Sequence, residues 1–94
     1  MSEFSFQYRG DSVTGTVESI GAGYAIDLTP DPYPILTLST GRETVVVNAT
    51  NEGLRHALTA AGVEVGQLVT ITFTGVRKIN SAGFRRNEYQ VVVT

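Results

Sequence analysis

The stretch "RKINSAGFRR", residues 77–86, carries the side chains best suited to chemistry in this chain. Arg77, Lys78, Arg85 and Arg86 are four of its seven cations, and no Asp or Glu interrupts those ten residues. Cations on an exposed connection neutralise phosphates of a nucleic-acid backbone. Phe84, behind the permissive Gly83, offers a ring on which a base can stack, an interaction worth about 1–3 kcal/mol per base. Guanidinium planes stack as well as pair. The bland alternative is a hairpin loop that is merely soluble, with Phe84 tucked back and the charges guarding a sheet edge. Both readings stay open on the sequence alone.

Two more rings and one more cation join the candidates. Tyr24 lies in, and Tyr33 at the edge of, the Gly- and Pro-rich stretch "GAGYAIDLTPDPYP". Tyr33 leads straight into the following strand and would make a second stacking platform. Arg42, in the turn Thr40-Gly41-Arg42, is expected near the same face.

Catalytic chemistry is poorly supplied. The single histidine, His56, sits between Arg55 and Ala57 with no acid or nucleophile beside it in sequence, so it is read as inert. Metal sites need several His, Cys or clustered carboxylates. The chain has no Cys, and its closest acids, Asp27 and Asp31, stand where Asp serves Asx turns. "GAGYAI" follows a strand but lacks the third glycine and the helix of a dinucleotide fingerprint. Asn48-Ala49-Thr50 fits a glycosylation pattern, read as chance. No catalytic residue, metal or cofactor is expected, and the chain is read as not an enzyme.

Composition narrows the class further. At 94 residues one domain, residues 1–94, with one core is expected. The net charge of −2 argues against indiscriminate binding of polyanions. Eight of the nine acids lie outside the segment from 75 to 91, and only Glu88 borders the cations, so charge is polarised along the chain. Absence of Cys fits a cytoplasmic setting. No apolar run of membrane-spanning length occurs, and "MSEFSFQYRGD" does not read as a signal peptide.

The elements that must position these residues are mostly strands. "SVTGTVESI", Ser12 to Ile20, alternates Val13, Gly15 and Val17 against Thr14, Thr16 and Glu18, with Gly15 expected at a bend. A loop over Gly21–Pro34 follows, and "PILTLST" and "ETVVVNA" flank the Gly41 turn as a hairpin. "TNEGLRHALTAAG" is the one helical signal. Leu54, Leu58 and Ala61 share a face, Thr50 or Asn51 is available as N-cap, and Gly62 stands at the left-handed stop. "QLVTITFTGV" puts Val69, Ile71 and Phe73 inward and Thr70, Thr72 and Thr74 outward. That threonine row is read as the solvated face of a strand. A last strand, "EYQVVVT", closes the order.

Three strands, a helix and two strands match an all-β fold with one short helix. The order fits a five-stranded OB-fold Greek-key barrel with its helix between strands three and four. An SH3-like barrel is the alternative. In an OB barrel the loops after strands one and four flank a groove over strands two and three, which places the basic loop and Tyr33 together. Residues 1–10 offer an extra N-terminal strand, "FSFQYR", with Phe4, Phe6 and Tyr8 in register. Those rings would be buried either on the barrel or between two copies in a homodimer.

The run "GDSVTGTVESIG…PYPILTLSTGRETVVVNAT…LRHALTAAGVEVGQLVTITFTGVRK…YQVVV" resembles small OB-fold proteins of actinobacteria and their phages, of the single-stranded-DNA-binding type. The resemblance spans Gly10 to Val93 and rests on packing motifs. It implies a role near single-stranded nucleic acid, with Tyr33 and the cations of the strand four–five loop as groove residues. The chain departs from bacterial single-stranded-DNA-binding proteins in having no Trp and no acidic tail after "QVVVT", so partner recruitment through such a tail is not expected. The sequence is therefore read as a non-enzymatic domain that binds single-stranded DNA or RNA. The competing class is a protein–protein adaptor or structural subunit of a phage or nucleoprotein complex.

Overall fold

Val13, Gly15 and Val17 are buried while Ser12 and Thr14 face solvent, and this alternation builds the longest strand. The computed structural model describes residues 2–23, 32–78, 83 and 85–94. It contains β1 (Ser2–Glu3), β2 (Ser12–Gly23), β3 (Tyr33–Ser39), β4 (Thr44–Asn48), α1 (Glu52–Ala61), β5 (Leu68–Lys78) and β6 (Arg85–Val93). The protein is thus mostly β with one short helix, as the alternating pattern implies. Among the described residues the strand count is six rather than the expected five, in one open sheet ordered β1-β4-β3-β2-β5-β6. No described helix is long and apolar enough to cross a membrane.

β2 organises the sheet by changing partner. Ser12 to Thr16 pair with β5, and Thr16 to Gly23 pair with β3. The strand runs beyond Ile20, where the sequence suggested its end, because Gly21, Ala22 and Gly23 continue the ladder to Ile35, Pro34 and Tyr33. The ladder slips between Val17 and Ser19, so the bulge falls at Glu18 and not at the expected Gly15. Gly15 serves the crossing in another way. A Cβ there would stand 2.8 Å from the Ser39 carbonyl oxygen, so only glycine lets β3 pass this close.

The core lies under the middle strands. Val17, Leu36, Leu38, Val47, Val69 and Ile71 are almost wholly buried, joined by Leu54 and Leu58 of α1. In the β3–β4 turn the Thr40 N–H donates to the Glu43 carbonyl at 3.0 Å, and the Glu43 N–H donates to the Thr40 hydroxyl at 3.3 Å. Asn51 caps α1, its Oδ1 accepting from the Gly53 N–H at 2.9 Å. Gly62, at φ 65°, ends the helix in the left-handed region that a side chain disfavours. Both caps match the sequence signals.

Gly53 has a role the sequence did not announce. A Cβ at this first-turn position would run into the backbone oxygen of Asn87, so glycine lets α1 lie directly against β6.

The N-terminal segment also differs from expectation. Only Ser2 and Glu3 form strand, paired parallel with Val45 and Val46, and the Phe4 N–H extends this to the Val46 carbonyl at 2.9 Å. Phe4 and Phe6 pack against the chain's own core. Tyr8 leaves the row and is 72% exposed. The cause is the turn at residues 8–11, where the Asp11 carboxylate accepts from the N–H groups of Gln7 and Tyr8 at 2.9 and 2.8 Å. That turn bends the chain before a third aromatic can pair.

β4 and β6 are not hydrogen-bonded neighbours. Between them lie Phe4, Phe6 and the start of α1, and this seam carries the cleft described next.

Candidate nucleic-acid interface

The cations of "RKINSAGFRR" are set on paired strands. Sequence reasoning put them in a loop. The β5–β6 ladder instead continues to its end with Arg77 opposite Arg86 and Lys78 opposite Arg85. The pairing of β5 with β2 stops at Thr72 opposite Ser12. Beyond Phe73, which still bonds to Gly10 and Asp11, residues 74–78 run on with β6 as their only ladder partner among the described residues, an arm of roughly 16 Å at ~3.3 Å per residue. Like charges directly opposite one another weaken a sheet. Two such pairs at the end of one arm oppose its folding.

A fifth cation joins the root of this arm, and nothing in its sequence neighbourhood beyond its charge points to that position. Arg9 lies over Gly75, its Cδ and Nε 3.7 and 3.8 Å from where a Cβ would stand. Its position follows from two backbone bonds. The Gly10 N–H donates to the Phe73 carbonyl at 2.7 Å, and the Phe73 N–H donates to the Asp11 carbonyl at 2.8 Å. Glu88 lines the same shallow recess as Arg9, Thr74 and Val76.

Tyr33 is placed by Gly23. The far end of its ring occupies the space above that glycine, with Cζ 2.5 Å from the position a Cβ would take. An aromatic over a cross-strand glycine replaces the missing side chain and holds the ring against the sheet. Because β2 curls between its two partners, this start of β3 comes round to the root of β6. Tyr33, Asn48, Asn87 and Tyr89 line one cleft of about 480 Å³, with Phe6 on its wall. Phe6 and Phe73 brace Tyr89 at ring-centroid distances of 5.2 and 5.3 Å. The structure thus brings Tyr33 to the same cleft as Asn87, the residue that follows Arg86 on β6.

Arg42 does not join them. It is exposed in the β3–β4 turn, and the full length of β3, roughly 20 Å at ~3.3 Å per residue, separates that turn from Tyr33. The expected grouping of Arg42 with the Tyr33 face is therefore not formed. Arg86 is half-buried and shares a groove with His56, Ala57 and Ala60 of α1. His56 does have an acid beside it, contrary to the sequence reading: Glu52 lies one helical turn away, with Nε2 to Oε1 at 3.7 Å. Both side chains are exposed, at 63% and 71%, so the pair contributes little.

The threonine row is partly occupied within the sheet. Thr70 shares a hydrogen bond with Thr14 at 2.9 Å, and Thr72 with Ser12 at 3.1 Å. Tyr24, Phe84, Asp27 and Asp31 lie outside the described residues. For Arg77, Lys78 and Arg85 it is backbone placement and register that are described. Among the described residues no three His, Asp or Glu side chains group to hold a metal ion. Comparisons with protein-family models, curated proteins and solved structures found no match.

Proposed function

We propose that this protein is a non-enzymatic binder of single-stranded nucleic acid, built on an OB-type Greek key whose last seam is left open. The fold part of this reading is supported by β2 shared between β3 and β5 and by a helix between β4 and β5. The function rests on one observation: two opposed pairs of cations at the end of the β5–β6 arm. Folding alone disfavours that arrangement. A polyanion laid along the arm relieves the repulsion and releases counterions. Tyr33, held over Gly23, supplies a ring for stacking, and Arg9, over Gly75, adds a fifth cation at the root of the arm.

Fluorescence anisotropy of a labelled thirty-base oligonucleotide tests this. Single-strand binding that engages four phosphates should weaken with salt along a log–log slope of roughly −3, at about 0.7 per contact. Replacing Arg85 and Arg86 together by Ala should reduce that slope by about 1.4. A slope unchanged by the double substitution would remove the arm from the binding site.

A protein–protein adaptor is the second reading. It is favoured by Leu68 and Val92, 42% and 48% exposed, which sit opposite Thr16 and Thr70 on an uncharged stretch of sheet. On that reading self-association would use the unpaired edge of β1, since Phe4 and Phe6 are already packed. No oligonucleotide binding even at low salt, with a higher-order species by light scattering, would favour it.

A further inference from the structure

We infer that the open seam between β4 and β6 is a nucleobase pocket, specific for a base that carries an exocyclic amine. The inference deepens the nucleic-acid reading and rests on it for its biological meaning. Its physical basis is separate from the cationic arm.

A cleft of about 480 Å³ falls within the usual range for small-molecule sites, roughly 300–1,000 Å³, and its exposed lining is more polar than apolar. Here the rings of Tyr33, Tyr89 and Phe6 stand on the wall with the amides of Asn48 and Asn87 and the Glu3 carboxylate, beside the hydroxyls of Ser5 and Thr50 and the capping Asn51. Neither amide has a hydrogen-bond partner among the described residues, and both side chains are half-buried. Each amide offers an acceptor and a two-proton donor in one plane. That combination matches a base edge, and it is how Asn recognises adenine in duplex DNA. In single-stranded recognition, splayed bases stack on aromatic rings and are hydrogen-bonded along their edges.

The charges decide which part of a nucleotide enters. Among the described residues Glu3 is the one charged side chain on the cleft wall, and none of them brings a cation to it. A phosphate would be repelled, whereas a neutral heterocycle is accepted. The two amides balance donors against acceptors, so the Glu3 carboxylate, with the extra lone pairs of the Ser5 and Thr50 hydroxyls, leaves a surplus of acceptors. The surplus favours adenine, cytosine or guanine, whose amines donate, over thymine and uracil, which lack one. The phosphates of the same strand would stay outside, on the arm that begins at Arg86, one residue from Asn87.

Two measurements test the pocket apart from the arm. The first is a ¹H–¹⁵N titration of the wild-type protein with adenosine, cytidine and thymidine, which carry no phosphate. Shifts of the Asn48 and Asn87 side-chain amides with the first two and not the third are expected. No shift with any nucleoside would overturn the pocket, whatever the oligonucleotides do. The second is anisotropy with thirty-base dA, dC and dT strands and an abasic strand. Wild type should bind dA and dC about tenfold more tightly than dT. Asn48→Leu with Asn87→Leu should level the three at an unchanged salt slope. Equal affinity of wild type for all four strands would overturn the pocket and leave the arm in place. Nucleoside shifts without strand binding would retain the pocket and overturn the arm.

Discussion

The two hairpins of this sheet have the same antiparallel form and opposite chemistry. In β3–β4, Leu36, Leu38, Val45 and Val47 are buried, the Thr40–Glu43 turn is tied by side chain and backbone, and one exposed cation, Arg42, stands in the turn. In β5–β6 the inward residues Val69, Ile71 and Phe73 hold the first half, and the second half leaves β2 behind and sets cation against cation. The turn half of the first hairpin is explained by packing alone, while its open end carries Tyr33 and Asn48 on the cleft wall. The second is half explained by packing, and its outer half has a composition that packing opposes. Such a contrast locates function more securely than a count of charges does, because the molecule supplies its own control.

The largest test of the contrast is Leu38→Ala. Its side chain is fully buried, and large-to-small core substitutions cost ~2–5 kcal/mol. At ~4–8 °C per kcal/mol for a domain of this size, a thermal melt should show a fall of at least ten degrees or so. A smaller loss would mean that the first hairpin is not the packed reference it is taken to be.

Gly53→Ala should come next. The new methyl would have to displace the Asn87 backbone, and overpacking of this kind costs ~1–3 kcal/mol. Its melt should fall, and the Asn87 amide resonance should move. A melt at or above wild type, as expected from helix propensity alone, would show that α1 does not sit against β6 as described.

Arg77→Gln has a smaller effect of opposite sign. Removing one member of a like-charge cross-strand pair should stabilise the protein by ~0.2–1 kcal/mol while weakening oligonucleotide binding. Stability lost instead of gained would make the cations structural and erase the difference between the hairpins. The smallest effect is expected for Arg42→Ala, which should leave both the melt and the salt slope where they were. A reduced slope would bring the β3–β4 turn into the phosphate-binding surface.

What the sequence determined by itself was local. Alternation over a few residues places β2 and β5, because side chains on a strand change face at every step. Asn51 and Gly62 mark the ends of α1, because the unpaired groups of a helix must be met by residues at its own termini. These signals act between near neighbours and so are written in order along the chain. The tertiary structure decided whatever depended on residues far apart. Arg77 faces Arg86, and not a neighbour one step away, because of the register of a ladder that a bulge between Phe73 and Gly75 had already shifted. Gly53 is required because Asn87 approaches it, and Arg9 reaches the arm through bonds to Phe73. Tyr33, Asn48 and Asn87 meet only because β2 curls and the sheet stops short of closing. Curvature and closure are properties of all six strands together, and no window of the sequence contains them.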